Sequence, residues 1–155
     1  MPEWRTAFEE ITIGKGRKLK DGDEVAILSL GHTGNFAQAA IRELRSQGLN
    51  PAHYDMRFVK PIDETLLHEV FSKYNKIVTV EDGAILGGFG SAVLEFMNQN
   101  QYHAQVTLLG IPDRLVEHGT PKELHRECAY DAQGIADAVR ELLKDKIQVH
   151  QTIAG

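Results

Sequence analysis

A single cysteine, Cys128, stands among 155 residues, and that scarcity removes several chemistries at once. An internal disulfide is excluded, and without a CxxC pair neither a thiolate zinc site nor a dithiol redox centre can form. Cys128 falls on a predicted helix face, where it reads as a small core residue. Long apolar runs are missing too: none approaches the roughly 18 residues a membrane-spanning helix requires. The opening MPEWRTAFEE lacks the basic-then-apolar order of a secretory signal. Positive charge is nowhere concentrated, and a net charge of -5 leaves no basic stripe to neutralise phosphates. The expected setting is therefore cytoplasmic, with neither membrane nor nucleic-acid partners.

What is present is enough for one core. With 42% hydrophobic residues, a chain of this length buries about two-thirds of its unfolded surface in a single domain. No internal repeat or low-complexity tract interrupts it. Four β-branched apolar runs, Val25–Leu30, Ala52–Met56, Ile77–Val80 and Val106–Leu109, alternate with segments of helical period. That alternation predicts a parallel sheet with helices on both faces. The first helix, about Asn35 to Gln47, carries Ala37, Ala40, Ile41 and Leu44 on one face and stops at Gly48. A second follows Asp63 and buries Leu66, Leu67, Val70 and Phe71, and a third leaves a glycine turn with Val93, Phe96 and Met97 inward. Thr120, Pro121 and Glu123 stand in the cap, first-turn and capping-box positions of a fourth. The last begins near Asp131, with Ile135, Val139, Leu142 and Leu143 as its stripe. The Asp21-Gly22 pair predicts a tight turn laying Arg17–Lys20 antiparallel beside Val25–Leu30. The expectation is a three-layer α/β domain with a mostly parallel five-stranded sheet and one antiparallel edge strand. Residues 1–9, with Trp4 and Phe8, read as an arm, 10–145 as the core and 146–155 as a tail.

Strand ends in this reading bring polar groups to one edge: Gly31-His32-Thr33-Gly34, then Arg57 and Lys60, then Glu81 and Asp82, then Asp113 and Arg114. Ligands of open α/β sheets bind at that edge. Each member also has a structural reading, with Glu81 and Arg57 as an ion pair and Asp113 with Arg114 bracing a loop. Gly87-Gly88-Phe89-Gly90-Ser91 invites an anion-cradle reading, since glycines let backbone N–H groups approach a phosphate. The match to nucleotide and dinucleotide motifs is partial, and close packing of helix on sheet is the alternative. Seven histidines suggest a metal, but no HExxH pair occurs, and His118, His125 and Cys128 follow no recognised ligand spacing. Metal binding by this chain alone is not expected from spacing. His118, beside Glu117 and Gly119, reads by default as a surface loop histidine.

Three segments, MRFVKPID (56–63), VTVEDGAILGGFGSAVLEF (78–96) and LGIPDRLVEHGT (109–120), together resemble the C-terminal domain of the 1-deoxy-D-xylulose-5-phosphate synthases, thiamine-diphosphate enzymes of the transketolase family. The resemblance runs from Phe8–Gly16 to about Leu143, with departures at Gly31–Asn35, Asp82-Gly83 and Phe89. It implies a homodimeric enzyme that joins pyruvate and glyceraldehyde 3-phosphate with loss of carbon dioxide, supplying isoprenoid, thiamine and pyridoxal precursors. It also implies that thiamine diphosphate and magnesium are held by upstream cofactor- and pyrimidine-binding domains. The string Lys20-Asp21-Gly22-Asp23 has the wrong order for the Gly-Asp-Gly…Asn magnesium motif. On this resemblance the chain is a fragment of a larger enzyme, inactive alone and self-associating, with no catalytic, cofactor or metal residue of its own. Arg57, Lys60, Glu81, Asp82, Gly87, Gly88, Gly90, Ser91, Asp113, Arg114 and His118 are then contacts to other domains or to the second subunit. Three rivals remain: the C-terminal domain of another transketolase-like enzyme, a free-standing phosphate-binding module, and a small enzyme using Glu81 as a base.

Overall fold

The computed structural model describes residues 10–144. The expected arm at 1–9 and tail at 146–155 lie outside them. In chain order the elements are β1 (Arg17–Lys20), β2 (Ala26–Ser29), α1 (Thr33–Ser46), β3 (Ala52–Asp55) and α2 (Glu64–Lys73). They continue through β4 (Lys76–Ala84), α3 (Phe89–Gln99), β5 (Gln105–Ile111), α4 (Pro121–Glu127) and α5 (Ala132–Leu142). The sheet order is β1-β3-β2-β4-β5, with β1 antiparallel and every other pair parallel.

The period-two alternation of a strand divides the interior into two cores. Val25 and Ile27 join Val78 and Val80 beneath α1 and α5, meeting Ala37, Ala40, Ile41, Leu44, Ile135 and Val139. Ala26 and Leu28 point the other way, with Tyr54 and Ile77, against Leu67, Val70 and Phe71 of α2 and Phe89, Val93 and Phe96 of α3. β2 and its neighbours are covered on both faces, which is why they read as continuous apolar runs. Three helices start where their caps predict: Asp63 accepts the Leu66 N–H at 3.1 Å, Asp131 accepts the Gly134 N–H at 2.8 Å, and Thr120 and Glu123 close a capping box. The first begins at Thr33 rather than Asn35, because the Thr33 hydroxyl is held by the carbonyls of Leu30 and Val80.

One expected pairing is overturned. β1 does not lie beside β2; it pairs with β3, Arg17 opposite Asp55 and Lys18 opposite Tyr54. Both edges of β2 are already taken by the parallel neighbours β3 and β4, so the free edge left for β1 is that of β3. Gly22 serves this arrangement by close approach instead of a hairpin: a Cβ there would come within 2.1 Å of the Ala52 nitrogen. Ser29, His53 and Thr79 are buried polar side chains under the helices. The Ser29 hydroxyl meets His53 Nε2 at 2.9 Å, and Thr79 Oγ1, where α3 crosses the sheet, has no hydrogen-bond partner among the described residues.

The connection from β2 runs through α1 on one face, while that from β4 runs through α3 on the other. Their carboxyl ends are adjacent and lead in opposite directions. This is the topological switch point at which open α/β sheets form a crevice.

Candidate functional site at the carboxyl edge

β4 extends past its apolar run through Glu81, Asp82 and Gly83 to Ala84, with a register irregularity against β5 after Val80. Ordinary strand alternation turns the successive acids to opposite environments. Glu81 is 5% exposed, and its two oxygens accept the N–H groups of Phe89 at 2.8 Å and Gly90 at 2.9 Å. These are the free donors at the N-terminus of α3, where a carboxylate is favoured by both hydrogen bonding and the helix dipole. Gly88, the residue before that helix, is small because the carboxylate is there: a Cβ would lie 2.4 Å from Glu81 Oε2 and 2.2 Å from the Ala84 oxygen. The Gly87 N–H donates to Ser91 Oγ, whose hydroxyl donates to the Ile85 oxygen. Gly90 lets α3 approach the sheet, since a Cβ would lie 2.8 Å from Thr79 Oγ1 and 2.9 Å from Leu108.

The glycine turn therefore carries its own anion. Glu81 does not form the expected pair with Arg57, because β2 lies between their strands and the two backbone donors hold both of its oxygens inward. Arg57 turns back toward Asp55 instead, with Nε 3.7 Å from Oδ2, on a left-handed backbone at φ 59°. Asp55 also receives Arg17 Nε at 3.1 Å. Buried and doubly bonded, Glu81 is not presented to a substrate as a base. Arg114 does brace a loop, but through Glu127 of α4 at 3.0 Å and not through Asp113. Lys60, Asp113 and His118 are exposed on the loops around this edge.

Asp82 faces outward and belongs to a different group. Its Oδ1 accepts the Tyr130 hydroxyl at 2.7 Å, while Oδ2 lies 3.6 Å from His32 Nε2. Burial, and then the neighbouring carboxylate, raise the Tyr130 phenol above the ordinary tyrosine range, which keeps it a donor. His125, from the last turn of α4, completes the group: one ligand atom from each of His32, Asp82 and His125 lies within 4.8 Å of the others. His32 was visible in the sequence as a strand-end residue, but His125 is 93 positions away and carries no local signal. Spacing therefore could not reveal a cluster made by three separate segments.

The donor set of the edge does not suit a magnesium diphosphate. The backbone N–H groups that would cradle phosphate oxygens are occupied by Glu81 and Ser91, and no Gly-Asp-Gly…Asn set stands near them. No step of cofactor chemistry is assigned to these residues.

Comparison with known proteins accords with this geometry. The family described as transketolase, C-terminal domain, matches residues 14–135. The chain is 66% identical over 142 residues to a 1-deoxy-D-xylulose-5-phosphate synthase of Cytophaga hutchinsonii, covering 92% of this chain and 22% of that protein. It is 49% identical over 141 residues to the synthase of Parabacteroides distasonis, covering 91% of this chain and again 22% of that protein. The chain thus spans about a fifth of the length of these relatives. A solved chain titled "Split gene transketolase, inactive beta4 tetramer" superposes with a TM-score of 0.81 at 32% identity, over 88% of this chain and 44% of its own. With the fold, the family match and these relatives in agreement, the chain belongs to the transketolase C-terminal domain family.

Proposed function

We propose that this chain serves as the C-terminal domain of a 1-deoxy-D-xylulose-5-phosphate synthase, completing the dimer and bracing the pyrimidine-binding domain without holding cofactor. The parent enzyme would join pyruvate to glyceraldehyde 3-phosphate in the cytoplasm, with thiamine diphosphate and magnesium bound upstream. Residues 10–145 would be one α/β unit of it.

The observation that carries this reading is the character of the carboxyl edge. Its turn satisfies its own anion-binding donors through Glu81, yet the surrounding loops show Leu86 at 66% exposure, Ile111 at 36% and Leu115 at 91%. An edge closed to phosphate but open to apolar contact is built for docking another protein surface. Arg57, Lys60, Asp82, Asp113, Arg114 and His118 would form its polar rim, whereas Glu81, Gly87, Gly88, Gly90 and Ser91 shape the turn. The solved chain titled an inactive tetramer, of which this chain covers 44%, supports self-association without catalysis in a split transketolase chain.

The test places Leu86→Asp with Leu115→Asp in a full-length synthase carrying this domain. Sedimentation should show loss of the dimer and assays a fall in activity of about tenfold or more, while the same pair in the 155-residue chain, diluted until it is monomeric, leaves its melting temperature unchanged. An intact, fully active dimer would overturn the docking role. Calorimetry of the isolated chain with magnesium thiamine diphosphate and with glyceraldehyde 3-phosphate should be silent, and tight binding of either would favour an independent ligand-binding module.

A further inference from the structure

We propose that His32, Asp82 and His125 form a binding site for a zinc-class divalent cation at the topological switch point of the sheet. The site shares Asp82 with the polar rim of the docking edge, but the inference does not rest on what docks there. Two imidazoles and a carboxylate are a ligand set for borderline first-row metals such as Zn²⁺ and Co²⁺, and a poor one for Mg²⁺ or Ca²⁺, which prefer oxygen alone.

Three different segments deliver the ligands. His32 stands at the junction of β2 and α1, immediately before Thr33, whose hydroxyl is tied to the Leu30 and Val80 carbonyls. Asp82 lies within β4, beside the point where Glu81 is locked inward. His125 comes from α4, whose cap is closed at Thr120 and Glu123. One surface thus joins the two strand ends that border the crevice with a histidine of α4.

The distances suit a cation after a small contraction. Zinc ligands lie about 2.0–2.2 Å from the metal, which places tetrahedral donor pairs about 3.3 Å apart. His32 Nε2 and Asp82 Oδ2 are already 3.6 Å apart, and all three donors fall within 4.8 Å. Rotation of the His32 imidazole and the Asp82 carboxylate can close the remaining gap without moving the backbone, since their side chains are 51% and 41% exposed. The same exposure gives the ion an entry path and leaves a fourth position for water.

Groups around the ligands orient them. Tyr130 donates to Asp82 Oδ1, so the carboxylate turns Oδ2 toward the histidines. Phe36, one turn along α1 from His32, sits against both rings, 5.7 Å from His32 and 5.2 Å from His125 between centroids. Tyr130 packs on His125 at 5.0 Å. A hydrogen-bonded outer partner, here the Tyr130 hydroxyl on Asp82, fixes the orientation of its ligand.

The test uses the untagged, chelator-treated 155-residue chain, titrated with Zn²⁺ by calorimetry and with Co²⁺ by visible absorption. The expected result is one ion per chain with a dissociation constant below about 100 μM, and ligand-field bands from cobalt. Mg²⁺ should not compete. His125→Ala and Asp82→Asn should each weaken binding tenfold or more, Tyr130→Phe should weaken it less, and the exposed control His103→Ala should leave it unchanged. Circular dichroism checks that the variants fold, and the imidazole resonances of His32 and His125 in the unaltered chain report the contact without substitution. No saturable binding, or binding indifferent to both His125→Ala and Asp82→Asn in folded protein with both resonances unmoved, would overturn the proposal.

Discussion

Glu81 shows how one buried carboxylate decides what a glycine turn can do. Replacing it with Gln keeps one oxygen for one backbone N–H but sets an amide donor against the other. We expect Glu81→Gln to lower unfolding stability by about 2–3 kcal/mol, as lost charge-assisted bonds to buried donors do, read from the urea midpoint. An unchanged midpoint would contradict the role assigned to it. His53 gives the residue scale a pH dependence. Burial lowers its pKa to about 4, against a rise from Asp55 and with help from Lys20. Between the ordinary histidine value of 6.5 and 4 the unfolded chain takes up a proton that the folded chain refuses, so stability falls as pH falls through that window and levels off below it. The total is about 3 kcal/mol. Stability curves across pH 7 to 4 should be flatter in His53→Asn; a slope identical to that of the unaltered chain would remove His53 as the cause. Neither residue declared its partner in the sequence. Glu81 reaches across a loop to backbone atoms, and Ser29 with His53 meets across a strand pair, so no short spacing encodes either contact.

At the scale of elements, the helices were legible because their information is local. Apolar stripes at three- and four-residue spacing, with Asp63, Thr120 and Asp131 as caps, place their starts. α4 rests on this local chemistry, for none of its seven residues is buried; its capping box is joined by the Arg114–Glu127 and Arg126–Asp131 pairs. Thr120→Ala removes about 1 kcal/mol of capping. Because the helix adds little to the core, the loss should appear as faster hydrogen exchange at 123–127 with the global melting temperature nearly unchanged. A large drop in global stability would show that α4 is coupled to the core more tightly than its burial implies. The partner of β1 was not legible for the opposite reason. Asp21-Gly22 is a valid local turn signal, but which strand edge stays open is settled only when β2, β3 and β4 have assembled.

For the whole molecule, alternating strands and helices prescribed two faces and a parallel sheet, and the carboxyl edge followed as the place where loops gather. Which of those loops carry a polar cluster and which carry apolar contacts depended on their three-dimensional neighbours. Leu86, Ile111 and Leu115 are spread over 30 positions of sequence and meet no core in the described residues. The isolated chain should therefore self-associate as its concentration rises, seen as a growing weight-average mass in sedimentation equilibrium and abolished by Leu86→Asp with Leu115→Asp. A clean monomer at high concentration would argue that these side chains are ordinary surface residues.

The displaced partner of β1 also sets an order in time. Arg17 meets Asp55 across 38 positions, so during synthesis β1 leaves the ribosome well before the strand that will receive it. It must wait, unpaired, while β2, α1 and β3 form, and closing so long a loop favours it as a late arrival. Its sequence, Arg-Lys-Leu-Lys, suits that wait: the charges keep a solitary strand from recruiting another chain before its own edge exists.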